Sequence, residues 1–303
     1  MAPGDVFEVE AATDVYYVDT GMYDTPEYGA VYIVDAERPA VVDTGIGTNR
    51  EYIFDALETV GIDLVDLEVI APTHVHLDHA GGTGFLADAA PNAEVYVHEI
   101  GAPHLVDPGR LVAGTKNAVG DQWEFYVEPE PVPEDRITEL ADGDVVDLGD
   151  RELETIHAPG HAPHQVIFHE ATDDAVYVAD AAGIWVPSIE AIRPTSPPSN
   201  FDFEQVLADV ETIESLDPDL LLYPHFGPVD EEPLAVLAEY ERVVTDWVES
   251  IEARFEALED EDAVVEHFVA ADEMESVWGE RKARAETGMN VRGVLRYLKT
   301  RGE

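Results

Sequence analysis

Val69-Ile70-Ala71-Pro72-Thr73-His74-Val75-His76-Leu77-Asp78-His79-Ala80-Gly81-Gly82 decides how this chain is read. Val69–Ala71 is a short apolar run suited to a buried strand, and it feeds straight into His-x-His-x-Asp-His at His74, His76, Asp78 and His79. Side chains alternate across an extended segment, so His74 and His76 point to one side and can bind one ion. A turn after Leu77 lets Asp78 and His79 address a second ion a few ångströms away. Imidazole with carboxylate suits zinc, and also iron or manganese.

Two ions need more ligands than four residues provide, and further candidates stand at strand ends. His161 follows Ala158-Pro159-Gly160, just beyond an apolar run ending at His157; Asp180 closes Val176-Tyr177-Val178-Ala179; His225 follows Leu220-Leu221-Leu222-Tyr223-Pro224. Each sits where the backbone leaves a sheet, and a Pro or Gly turn can aim it into a shared pocket. An acid placed directly after four apolar residues is costly to bury unless something cationic meets it. His157 and His164 flank His161 and stay open as alternatives to it, whereas His98, His104, His169 and His267 lack such context and read as surface or core histidines.

On these residues the chain resembles the metallo-beta-lactamase superfamily, whose Thr-His-x-His-x-Asp-His-x-Gly-Gly signature is shared by glyoxalase II-like thioesterases, lactonases and related hydrolases. The resemblance spans about residues 5–230. It implies an α/β (α+β) fold: an αββα sandwich of two mixed sheets flanked by helices, with the site at one edge. It also implies that His74, His76 and His161 hold one metal, that Asp78, His79 and His225 hold a second, and that Asp180 bridges them. Asp43, in Val41-Val42-Asp43-Thr44-Gly45, matches the family's early Asp-x-Gly turn and would buttress the histidine loop. Two bridged Zn2+ ions lower the pKa of a shared water, so that a bridging hydroxide can attack an acyl carbonyl, with Asp78 orienting the nucleophile and collecting its proton.

The expected reaction is hydrolysis of a small ester, thioester or lactone. Pro224-His225-Phe226-Gly227-Pro228 lacks the Cys-Gly-His-Glu-like segment of glutathione thioesterases, which argues against a glutathione substrate. A phosphodiesterase or nuclease of the same fold, a mononuclear-iron oxidoreductase relative and a metal-holding binding protein are the alternatives.

Composition bounds the rest. The 303 residues carry 66 acids against 16 bases, a formal charge of −50, yet 45% are apolar, enough to bury a large core. The acids are spread along the chain, so they form a solvated surface, and such a surface is screened only where the Debye length is short, about 3 Å at 1 M salt. A protein of a high-salt cytoplasm is the expectation, an unusually acidic mesophilic protein the alternative. Binding to nucleic acid or an anionic membrane is disfavoured, because it depends on basic residues. There is no cysteine, so thiolate ligands and a Cys nucleophile are excluded. Met1–Glu10 reads as no signal peptide and no stretch has the length of a membrane span, which points to the cytoplasm and a small-molecule substrate.

Two segments stand apart. Residues 101–136 show Pro, Gly and isolated aromatics with little periodicity, and read as a surface connection or a lid. Lys116, one of three lysines, lies there and is the first candidate anchor for a substrate carboxylate; Arg193 is the next. From Pro233 the pattern becomes helical, dividing the chain into a catalytic domain, 1–232, and a helical subdomain, 233–303. Arg281–Glu303 carries seven bases and two acids, and Val291, Val294, Leu295 and Leu298 give it an apolar face. Docking on its own acidic domain or on a second subunit of a homodimer is expected, with a nucleic-acid-contacting module as the alternative.

Overall fold

Strands that are apolar on both faces build the interior, as sheets covered on both sides require. The computed structural model describes residues 2–301. One sheet runs β1 (Val6–Glu8), β2 (Val15–Asp19), β3 (Ala30–Val34), β4 (Ala40–Val42), β5 (Val69–Ala71), β6 (Glu94–His98) and β7 (Ile137–Leu140) in that order, antiparallel as far as β4 and parallel from β4 to β7. The second contains β8 (Val145–Asp147), β9 (Glu152–His157), β10 (Val166–Glu170), β11 (Ala175–Tyr177), β14 (Leu220–Tyr223) and β15 (Gly227–Val229), ordered β15-β14-β11-β10-β9-β8, with β11 and β14 parallel. A hairpin of β12 (Ile184–Val186) and β13 (Ala191–Arg193) stands apart, within a region whose sequence suggests only a Pro-rich connection.

The period of two sorts side chains into layers. Tyr32, Val34, Val42, Phe168, Tyr177 and Leu222 fill the space between the sheets. Their neighbours Ile33, Val41 and Ile70 face outward to meet Ile53 and Leu57 of α1 (Glu51–Val60), and Leu86 of the helix at Thr83–Ala89. On the far side, Val176, Leu221 and Tyr223 meet α6 (Phe203–Ser215), α7 (Pro233–Leu258) and the last helix, α10 (Glu280–Thr300). This is the expected αββα sandwich with C-terminal helices. The remaining helices are α2 (Leu77–Ala80), α3 (the Thr83–Ala89 helix), α4 (Ala102–Val106), α5 (Gly109–Val119), α8 (Glu261–Ala271) and α9 (Glu275–Trp278).

Residues 101–136 depart from the sequence reading. They form α4, α5 and further helical turns to Phe125, and α5 packs against α2, α4 and α10. No residue of α5 is fully buried; Leu111, Val112 and Val119 are partly buried against the neighbouring core, and Leu111 and Val119 also line the cavity.

The C-terminal segment docks within its own chain. Val291, Val294 and Leu295 join the core beneath the second sheet, and Arg281, Lys299 and Arg301 pair with Glu124, Glu261 and Glu252. No second subunit is needed to bury this face.

Candidate metal centre

The quoted stretch does what its spacing suggests. β5 ends at Ala71, His74 and His76 stand on the short bent loop that follows it, and the one-turn helix α2 then carries Asp78 and His79. The closing glycines have a steric reason: a Cβ on Gly82 would lie 2.3 Å from the carbonyl oxygen of Thr44. Gly160 is equally constrained, since a Cβ there would lie 2.4 Å from the backbone nitrogen of Val206, and this close approach sets His161 beside the others. Ala179 adopts φ 49°, a strained left-handed conformation for a non-glycine residue that turns the chain into Asp180.

Seven of the candidates meet, all from segments leaving the carboxyl ends of strands in both sheets. His74, His76 and His161 form one group, His74, His79 and Asp180 a second, and Asp78, His79 and His225 a third, with the ligand atoms of each within 4.8 Å of one another. His76 Nδ1 lies 3.1 Å from His74 Nε2 and 3.0 Å from His161 Nε2. One proton can serve only one such nitrogen pair, so three ring nitrogens converging this closely suit a cation better than hydrogen bonds. Asp180 lies between the groups: Oδ2 is 3.2 Å from His161 Nε2, while Oδ1 is 3.4 Å from His79 Nε2 and 3.8 Å from His225 Nε2. Asp180 Oδ1 and His79 Nε2 are buried without a hydrogen-bond partner. Such orphaned atoms, aimed at one another, fit a divalent ion.

The second ring nitrogens of His79 and His225 are occupied. Asp43 Oδ2 is 3.0 Å from His79 Nδ1, and Oδ1 accepts from the Thr73 N–H and hydroxyl at 2.8 and 2.9 Å. His225 donates from Nδ1 to the Tyr28 carbonyl at 2.7 Å, which leaves Nε2 as the free lone pair. Burial, then neighbouring rings, push His74 well below the ordinary histidine range and His161 down to about 3. Burial alone would raise Asp180, but His161, His79 and His225 hold it below the usual carboxylate range. Burial would lower His79, and it is overcome by Asp180 and Asp43 on either side, which raise it strongly. Neutral His74 and His161 beside the ionised Asp180 are ready to ligate, and at His79 a cation would take the place of the proton that the two carboxylates favour.

A cavity of about 450 Å³ opens over this cluster. Its walls include Tyr23, Tyr28, Tyr126, His104, His164, Thr195, Arg110, Leu111 and Glu286. His164 stays outside the three ligand groups; its Nδ1 is 3.4 Å from the Val75 N–H, and burial pushes it down to about 2. Glu286 of α10 accepts from Tyr28 at 3.0 Å, from Asn290 at 2.8 Å and from Lys282 at 2.8 Å, and the Lys282 ammonium sits 3.8 and 4.1 Å from the Tyr23 and Tyr28 ring centres. Burial opposes the ionisation of Glu286, and Lys282 with these donors restores it. Sequence reasoning missed this network. Its one local signal is the Lys282–Glu286 spacing of four, which puts the two side chains on one helix face.

The two basic candidates are placed elsewhere. Lys116 bonds Glu128 at 2.8 Å over the Trp123 ring, and Arg193 faces Asp272 at 3.8 Å; neither lines the cavity. Arg110 does line it. Six helical residues separate Arg110 from Lys116, about 240° around the axis, so one base faces the cavity and the other turns away.

Similarity to known proteins agrees with the fold. The chain is 26% identical over 220 residues to the metallo-beta-lactamase fold-containing protein ST1585 of Sulfurisphaera tokodaii, covering 71% of this chain and 79% of that one. The crystal structure of ST1585, described as an archaeal metallo-beta-lactamase superfamily protein, superposes with a TM-score of 0.71 at 22% identity over 94% of this chain and 99% of that one, a likeness of fold. The acyl-coenzyme A thioesterase MBLAC2 of Gallus gallus is 27% identical over 183 residues, covering 55% of this chain and 62% of its own length. The N-acyl homoserine lactonase AttM of Agrobacterium fabrum is 29% identical over 114 residues, covering 37% and 39%. The family profile described as the metallo-beta-lactamase superfamily matches residues 24–225, two thirds of the sequence and the whole span of the ligand cluster, and the chain belongs to that superfamily.

Proposed function

We propose that this chain is a dinuclear metal-dependent hydrolase acting on a small ester, thioester or lactone. The observation that carries this is the position of Asp180, with one oxygen toward His161 and the other toward His79 and His225. In this reading His74, His76 and His161 hold one cation, Asp78, His79 and His225 the other, and Asp180 both. Bound there, two divalent ions, zinc by the donor chemistry, supply acidification of a water and polarisation of an acyl carbonyl.

The chain's own residues supply the rest. Asp43 keeps the proton of His79 on Nδ1 and the Tyr28 carbonyl keeps that of His225 on Nδ1, so both Nε2 atoms stay turned to the cluster. Asp78 is half-buried; burial would raise its pKa, but His79, His225 and His76 hold it low, so its carboxylate is ionised and can orient a water by accepting a hydrogen bond from it. Burial keeps Tyr23, Tyr28 and Tyr126 protonated, and they wall the cavity with neutral phenols. The cavity is of a size for a small acyl compound. The thioesterase and lactonase names of two relatives support acyl transfer to water.

A phosphodiesterase or nuclease would draw its support from the basic C-terminus. Four of its bases, Arg281, Lys282, Lys299 and Arg301, are engaged with the chain's own carboxylates, which removes its main support. A high-salt cytoplasm and a division at residue 232 belong to the same proposal. Metal analysis of the purified protein, with a panel of thioesters, lactones and phosphodiesters assayed in molar KCl, tests it. Two zinc ions per chain and acyl hydrolysis are expected, both lost in His76→Ala. One redox-active iron, or full activity in His76→Ala, would overturn it.

A further inference from the structure

The cavity walls differ in charge from the rest of the molecule. Acids make up 66 of 303 residues, yet none occurs between Asp107 and Asp121 or between Glu190 and Asp202. These two acid-free stretches supply much of the wall beyond the ligand cluster: Arg110, Leu111 and Asn117 from one, Thr195, Pro197 and Ser199 from the other. Only Asp78, Asp180 and Glu286 bring carboxylates to the lining. The first two belong to the ligand cluster and the third is bonded to Lys282.

Arg110 is the single Lys or Arg in that lining. Among the described residues it has no hydrogen bond or ion pair, although its neighbours on the same segment do: Lys116 holds Glu128, and Asp121 and Glu124 are held by Arg281. A guanidinium left unpaired in a chain of charge −50 is a vacant fork for a planar oxyanion. Clearing carboxylates from the surrounding wall matters for the same ligand, because a negative field at the mouth would repel it. A neutral substrate would gain from neither feature.

We infer that Arg110 is a specificity-determining residue and that the substrate carries a carboxylate or phosphate, remote from its scissile acyl bond, which Arg110 binds. This rests on the acyl-hydrolase reading for the scissile bond, whereas the anion site stands on the cavity alone.

The test compares wild type, Arg110→Gln and Arg110→Lys, all metal-loaded and in the same salt. Arg110 is exposed and unpartnered, so the variants keep the fold. Three thioesters are used: a neutral acyl N-acetylcysteamine, the same acyl group on coenzyme A, and a glutaryl N-acetylcysteamine. Wild type should favour one charged substrate over the neutral one by about tenfold, mainly through KM, as a charge-assisted pair predicts. Arg110→Gln should abolish that preference and leave the neutral substrate unchanged, while Arg110→Lys keeps part of it. The favoured arm identifies phosphate or carboxylate. Calorimetric binding of free coenzyme A and of glutarate is measured in parallel, with about tenfold weaker binding expected in Arg110→Gln for the favoured anion. If no acyl substrate is turned over, the hydrolase reading fails while the binding comparison still decides the anion site. Equal binding of both anions by wild type and Arg110→Gln overturns the inference.

Discussion

The phenol of Tyr28 donates to Glu286 at 3.0 Å across 258 positions of sequence, while the carbonyl of the same Tyr28 receives the Nδ1 proton of His225. The C-terminal helix is thereby coupled to a candidate ligand through one tyrosine. Glu286→Ala leaves Lys282 buried without its counter-charge, a loss of about 3–5 kcal/mol for a broken buried pair. The urea midpoint should fall and, on the dinuclear proposal, one of the two metal equivalents should bind more weakly. Replacing both partners, as Lys282→Met with Glu286→Leu, should recover much of the stability but not the metal affinity. A double variant as unstable as Glu286→Ala would show that the charges are not the cause.

Asp43 touches no proposed metal position, yet it governs one. Asp43→Asn puts an amide donor opposite His79 Nδ1, which drives the ring proton to Nε2, the atom facing Asp180. Metal affinity is expected to drop by about 10–100-fold, the range for lost supporting hydrogen bonds. Competition with a chromophoric chelator measures it. Unchanged affinity would remove His79 from the ligand set.

Asp209 predicts a pH dependence of stability. Its carboxylate accepts from Gly160 N–H at 2.7 Å and from Gln205 at 2.9 Å, and burial outweighs both, pushing the carboxyl up to about 6. The unfolded chain ionises this group near 3.9, so between about 4 and 6 the native state binds the extra proton and stability falls as pH rises. The contribution is fully present below the unfolded pKa and is lost by neutrality, at most about 3 kcal/mol for a shift of this size. Asp209→Asn should flatten that part of the profile, compared by urea denaturation at pH 4.5 and 7. An unaltered slope in the variant would assign the dependence to other groups.

Gly293 sets how α10 meets the cavity rim. A Cβ at this position would lie 1.8 Å from the Ser196 carbonyl oxygen, and Ser196 is tied to Asn290 through its N–H and its hydroxyl. Gly293→Ala must push the helix off the Thr195–Pro198 segment, at about 1–3 kcal/mol for an overpacked contact. A lower Tm with a raised KM is expected, since Thr195 and Pro197 line the cavity. A Tm equal to wild type would mean the contact is looser than its geometry implies.

What the sequence reveals follows from how local each signal is. His74 to His79 are legible because strand and turn fix them within six residues, and the helix at Phe203–Ser215 because its stripe packs on a core. Asp180 and His225 are legible through apolar runs that end abruptly at a polar group. α5 is not, because Pro108, Gly109, Gly114 and Gly120 interrupt the helical signal of Leu111, Val112 and Val119, so Arg110 and Lys116 could not be assigned to opposite faces. Glu286 is invisible for a different reason: its partner Tyr28 is almost a full chain length away.

The place of α10 in the sequence has a consequence for biosynthesis. Every candidate ligand, up to His225, leaves the ribosome before Glu286 and Met289 do, and N-terminal regions fold first during synthesis. The ligand cluster is therefore born open on one side, and a metal bound as proposed could enter before the last helix arrives to complete the wall.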